Sequence, residues 1–239
     1  MNKKNIITIL LALLTSTGLA QTKTATVTGY SPALKDGTLV LAGTGTIGSV
    51  VDTVKAGHFA YTLPVEELTE SFLCLMGEGC PNMSITIYLK PDLAVKVTGN
   101  DCLYPLWKVE SPLPEQRTEA RITEHCRDVL TEYMQKVLAN KPRAELEPVT
   151  IKLAKKQMDI LPALPMDAAT IGKLLNASRI AKDIKDFPHM EQLKKIEKFV
   201  ADRAPKGFEG QLAEIHNYVY PPRVLQGGEE AEISRSEER

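Results

Sequence analysis

The chain has 239 residues, 43% of them hydrophobic and 25% charged, with a formal net charge of −1. That composition is ordinary for a globular core, and the length allows one or two domains. With no long basic run and only 5% aromatic residues, neither a phosphate-tracking surface nor a base-stacking platform is implied, so nucleic acid is not an expected partner.

The N-terminus reads as an export signal. Lys3 and Lys4 form a basic region, Ile6–Leu14 an apolar one, and Gly18-Leu19-Ala20 a small-residue cleavage site before Gln21. The apolar stretch is well short of the ~20 residues a spanning helix needs. The expectation is therefore a signal peptide over residues 1–20, cut between Ala20 and Gln21, with no membrane span in the mature chain. No Cys follows the cut, which argues against a lipoprotein. Losing Lys3 and Lys4 takes the net charge from −1 to −3. The expected location is the periplasm or cell envelope.

Residues 21–113 read as a β-rich domain. Period-two alternation is broken by turn residues throughout. Asp36-Gly37 precedes Leu39 and Leu41, which share a face. Val50, Val51 and Val54 lead into Ala56-Gly57, with Phe59, Tyr61 and Leu63 alternating beyond, the pattern of a hairpin around a glycine turn. Phe72–Leu75 is a short apolar run ending at Gly77-Glu78-Gly79. Met83–Leu89 and Leu93–Val97, turning at Pro91-Asp92, predict a second hairpin in which Ile85 faces Val97 and Ile87 faces Val95. Strands this short and regularly spaced predict an antiparallel β-sandwich or open barrel.

Extending that pairing sets Cys80 opposite Cys102, a separation that fits a disulfide. Pro81 bends the strand before that point, and Cys74–Cys80, closing over Gly77-Glu78-Gly79, is a rival. Four cysteines allow three full pairings, and the sequence selects none. An exported location permits a structural bridge. The chain has no Cys-x-x-Cys, the spacing with which a helix N-terminus lowers a thiol pKa.

Residues 114–222 read as a compact helical subdomain of about five helices, giving an α+β chain overall. Ile122, Cys126, Val129, Tyr133 and Val137 stripe a first helix ending near Asn140-Lys141-Pro142. Pro148 is expected to start a second, through Val149, Leu153 and Ile160. Asp167 is the expected N-cap of a third carrying Ile171, Leu174, Leu175 and Ser178. Pro188 opens a fourth with Leu193, Ile196 and Val200. Phe208, Leu212, Ile215 and Val219 stripe a fifth, which Pro221-Pro222 ends. This helical half is expected to dock on the sheet face that carries Ile85, Ile87, Val95 and Val97.

Ligand chemistry is sparse. His58, His125, His189 and His216 fall at no metal-ligand spacing. Asp101 and Asp183 have no recognisable acid–base partner. Gly43-Thr44-Gly45-Thr46-Ile47-Gly48 matches the dinucleotide spacing, but it lies among β-alternating segments with no helix after it, so no nucleotide cofactor is expected. No catalytic residue, cofactor or metal is assigned.

The ordered set of motifs resembles a known family. VTGY (27–30), DGTLVL (36–41), VDTVKAGHFAYTLP (51–64), ITIYLKPDLAVKVTG (85–99), VESPLPEQ (109–116) and PKGFEGQLAEIHNYVYPPRVLQ (205–226) are together similar to the N-terminal accessory region of TlpA-like thiol-disulfide oxidoreductases of the Gram-negative envelope. In that family a domain of unknown function precedes a thioredoxin fold bearing Trp-Cys-x-x-Cys. Here Val224-Leu225-Gln226 leads instead to GGEEAEISRSEER, so no catalytic residue of the family has a counterpart. Residues 223–239 are expected to be a disordered charged tail. The resemblance implies a non-catalytic module with an envelope protein or ligand as partner, a redox protein related to the family, or a fragment of one.

Overall fold

A computed structural model describes residues 23–45, 47–81 and 83–221. The expected signal peptide with its Ala20–Gln21 cut, and the charged tail, lie outside these residues. The fold is α+β: two four-stranded sheets, mostly antiparallel, are followed by five helices, and the sheets do not close into a barrel. The chain divides after Leu146 into two compact units.

The strands are β1 (Thr24–Tyr30), β2 (Leu39–Thr44), β3 (Ile47–Thr53), β4 (His58–Pro64), β5 (Thr69–Met76), β6 (Ile85–Leu89), β7 (Ala94–Thr98) and β8 (Lys108–Glu110). One sheet has the order β4-β1-β7-β8, the other β3-β2-β5-β6. β1 and β7 run parallel, with Val27 opposite Val95, and every other pair is antiparallel.

Alternation supplies the core. Val27, Val40, Leu73, Leu75, Ile87, Leu89, Val95 and Val97 are almost wholly removed from water in one cluster. Burying each such side chain stabilises the fold by about 1.5–3 kcal/mol before chain entropy is set against it. On β2 the inward residues are Val40 and Ala42, so the face that Leu39 and Leu41 share is the outward one.

Two expected hairpins are sheet-switching corners instead. Ala56 (φ 49°) and Gly57 (φ 77°) form the tight turn that the sequence predicts, closed by mutual Lys55–His58 backbone hydrogen bonds. Beyond it β3 and β4 part into different sheets. Likewise Asp92 (φ 61°) turns the chain after β6, and β7 joins the other sheet. There the Asp92 N–H donates to Thr24 O and the Thr26 N–H to Leu93 O, so β1 captures the incoming strand. Ile85 and Ile87 therefore meet Val95 and Val97 in the sandwich core, not along a shared ladder. Both arrangements produce the same alternation, which is why the pattern could not separate them. The same observation overturns the expected docking of the helical half on that face: it is already filled by the opposing sheet.

Helix α1 (Pro114–Leu138) belongs to the first unit. Its Gln116 lies against the edge strand β6, accepting from the Tyr88 N–H at 2.9 Å and donating to Thr86 O at 3.3 Å. One side-chain amide thus satisfies backbone groups that an edge strand otherwise leaves open. Ile122, Cys126 and Val129 are buried on this helix, and Asn140 (φ 50°) follows its end.

Helix α2 (Arg143–Ile160) begins five residues before Pro148, which sits inside it. Pro142 O accepts from the Glu145 and Leu146 N–H groups and opens the first turn, so the sequence signal pointed to the wrong proline. In the second unit α3 (Ala168–Asp183) is capped by Asp167, whose carboxylate accepts from the Thr170 N–H at 3.1 Å. Ile171, Leu174, Leu175 and Ser178 are buried as expected, as are Leu193, Ile196 and Val200 on α4 (Met190–Ala201) and Ile215 and Val219 on α5 (Glu209–Val219).

Candidate functional site

Three connections meet at one end of the sandwich: residues 31–38 between β1 and β2, 77–84 between β5 and β6, and 99–107 between β7 and β8. Their side chains bond the connections to one another. Ser31 Oγ donates to Asp101 O at 3.0 Å. Asp101 Oδ1 accepts from Leu103 N–H at 2.9 Å and from Trp107 Nε1 at 3.1 Å. Asp101 is therefore a loop anchor. Lys35 and Glu78 pair at 2.6 Å on the surface, and this bond holds the Glu78 carboxyl below its usual range.

Tyr104 is the buried centre of this end. It opens a 3-10 turn over Tyr104–Leu106 with Pro105 in its first turn, and it is edge-on to Trp107 with ring centroids 6.4 Å apart. Its hydroxyl bonds to Pro81 O at 2.6 Å, to Met83 O, and to Met83 N–H at 3.2 Å, occupying the backbone gap where β6 has not yet begun. Burial and the neighbouring Cys74 push the phenol pKa upward.

Three of the four cysteines gather around it. Cys74 Sγ lies 3.4 Å from the Tyr104 hydroxyl. Cys102 Sγ donates to Ala33 O at 3.4 Å, and the Cys80 thiol hydrogen-bonds Cys102. Since the Cys102 proton is directed at Ala33, the Cys80 S–H is the donor in that bond. All three are half-buried free thiols at the margin of the core. Burial first, then Cys102 and Cys74, push the Cys80 thiol up to about 12. A thiol held in this way is a poor nucleophile at neutral pH.

Gly79, at φ 78°, makes the turn into Cys80, and a Cβ there would sit 3.9 Å from Cys102 Sγ. Backbone conformation is what reserves that position for glycine.

The β6–β7 hairpin expected to set Cys80 opposite Cys102 does not form. They meet because the sheet-switching chain returns two connections to the same end. Cys74, the rival partner, is present too but turned to Tyr104. Cys126 is apart from them, buried on α1. The part played by Tyr104 carried no motif; its only signal was a tyrosine beside a proline.

The remaining candidates do not converge. His58 stacks on Tyr30 at 4.4 Å, His189 is edge-on to Phe187, and His216 Nδ1 meets Glu197 at 3.1 Å. No group of three potential metal ligands occurs among the described residues. Gly43–Gly48 spans the β2–β3 hairpin, where no helix N-terminus is available to receive a phosphate.

A second feature lies on the outer face of the β3-β2-β5-β6 sheet. Leu39 is opposite Met76 in the ladder and Leu41 is opposite Val50. Leu39, Val50 and Met76 are 40%, 54% and 49% exposed. Together they form an apolar strip across three strands, and no helix among the described residues is long and apolar enough to cross a membrane.

A scan against protein-family models returns no match, and neither does a comparison with curated proteins.

Proposed function

We propose that this chain is an exported, non-catalytic binding module of the cell envelope, comparable with the accessory half of a TlpA-like oxidoreductase. Its ligand in this reading is an apolar segment of another envelope protein. The carrying observation is the strip of Leu39, Val50 and Met76. Three large apolar side chains exposed side by side on one sheet face form the kind of patch that marks a protein contact. The thiols argue for the non-catalytic part: they lack a Cys-x-x-Cys, and the Cys80 thiolate is strongly disfavoured.

Photocrosslinking from position 39 in the full-length chain, in envelope extracts, tests this reading. One partner is expected, lost in a Val50→Glu, Met76→Glu double variant that retains its fold by circular dichroism. No crosslinked partner, or the same partner with the double variant, would overturn it.

A second reading, a thiol-disulfide redox protein related to the same family, is favoured by the meeting of Cys74, Cys80 and Cys102. Reduction of insulin by the purified chain, abolished in Cys80→Ser, would replace the first reading with this one.

A further inference from the structure

We propose that Cys80 and Cys102 are a dithiol oxidised by a disulfide donor to a reversible bridge that staples the two sheets of the sandwich together. This inference is independent of the apolar strip.

The topology gives the bridge its meaning. Cys80 lies in the connection between β5 and β6, both in one sheet, while Cys102 follows β7, which belongs to the other. The described hydrogen bonds between these connections are made by Tyr104 and by the two thiols themselves, and all are noncovalent. A sulfur–sulfur bond here would tie the sheets at the end where the 77–84 and 99–107 connections meet.

The choice of partner follows from the bonds. Cys80 is hydrogen-bonded to Cys102, whereas Cys74 acts on it only through charge and is engaged by the Tyr104 hydroxyl. Cys102 accepts the Cys80 hydrogen bond, so Cys102 opens the exchange and Cys80 closes it. The Cys102 S–H gives its proton to solvent, and its sulfur attacks one sulfur of the donor R–S–S–R. That bond breaks, one RS⁻ leaves and takes up a proton, and Cys102–S–S–R remains. Cys80 then loses its proton and attacks the Cys102 sulfur of this mixed disulfide, and the second RS⁻ leaves and is protonated. In sum, two protein thiols and R–S–S–R become one protein disulfide and two R–SH. The protein pair is oxidised and the donor reduced.

The test uses the full-length chain, equilibrated with oxidised and reduced glutathione at graded ratios, then alkylated and mapped by mass spectrometry. Four alkylatable thiols are expected to fall to two, with Cys80 and Cys102 in one linked peptide. The oxidised form should melt roughly 10 °C higher, a shift absent in Cys102→Ser and retained in Cys74→Ser. Three results would each overturn the proposal: four thiols alkylated at every ratio, a Cys74–Cys80 link in place of Cys80–Cys102, or a lasting glutathione adduct on Cys102 without closure. Mapping needs only the native chain, so a variant that fails to fold leaves the outcome decided.

Discussion

The two units of this chain distribute their chemistry differently. All four cysteines lie before Leu146, in the unit that holds both sheets. The groups whose titration burial perturbs most, Tyr61, Cys80 and Tyr104, lie there as well. In the helical unit the perturbed groups are at the surface: Glu214 is lowered by Tyr218 and Arg179, and Glu191 by Lys194. The perturbed carboxylates of the helical unit tune a solvated exterior, whereas buried Tyr104 in the β unit holds one end of the sandwich closed. The difference follows from construction. Helices satisfy their own backbone, and sheet-switching connections need side chains to do it for them.

Substitutions in the two units should differ in effect. The largest effect is expected from Leu73→Ala at the centre of the sandwich core, where lost burial and the residual cavity should cost about 2–5 kcal/mol in chemical denaturation. A loss below that range would mean that the two sheets collapse onto the gap. Next comes Tyr104→Phe, which keeps the ring and removes the hydroxyl. Pro81 O and the Met83 backbone groups then lose a partner, at about 1–3 kcal/mol. An unchanged midpoint would show that water replaces the hydroxyl.

Alkali should separate the units as well. Between the ordinary thiol pKa near 9 and the folded value of about 12 for Cys80, the unfolded chain has released a proton that the folded one retains. Stability is therefore full below pH ~9 and falls as pH rises toward 12, by about 1–2 kcal/mol for a half-exposed thiol. Tyr61 and Tyr104, raised in the same sense, add to the slope. Denaturation midpoints across that range in wild type and Cys80→Ser measure the thiol's share, and equal slopes would refute it.

In the helical unit, Asp167→Ala removes the cap of α3 and should cost about 1 kcal/mol, with Asp167→Asn recovering most of it. The smallest effect has the opposite sign. The Tyr61 hydroxyl is buried with no hydrogen-bond partner among the described residues, so Tyr61→Phe should stabilise the β unit by about 0.5–1 kcal/mol.

The same contrast governs what could be read in advance. The stripes Ile171–Leu174–Leu175–Ser178 and Leu193–Ile196–Val200 reach the core as expected, because helix periodicity is a local property. The start of α2 differs from expectation, because Pro142 and Pro148 compete as N-terminal signals. In the β unit the alternation of Ile85, Ile87, Val95 and Val97 showed that these residues are inward. It did not show which strand lies beside which, because pairing across a sheet and packing across a sandwich impose the same period. The meeting of Cys80 with Cys102 depends on that missing information, and Tyr104 depends on it entirely.

The parallel pairing of β1 with β7 carries a kinetic consequence. Val27 must find Val95, 68 positions later in the chain, and the antiparallel β1–β4 ladder fills only one side of β1 meanwhile. Closing so long a loop precedes any reward from the contact, which slows folding. Until β7 arrives, one edge of β1 stays open to any passing strand, so the emerging chain is most vulnerable to aggregation in the interval between the synthesis of Pro64 and that of Thr98.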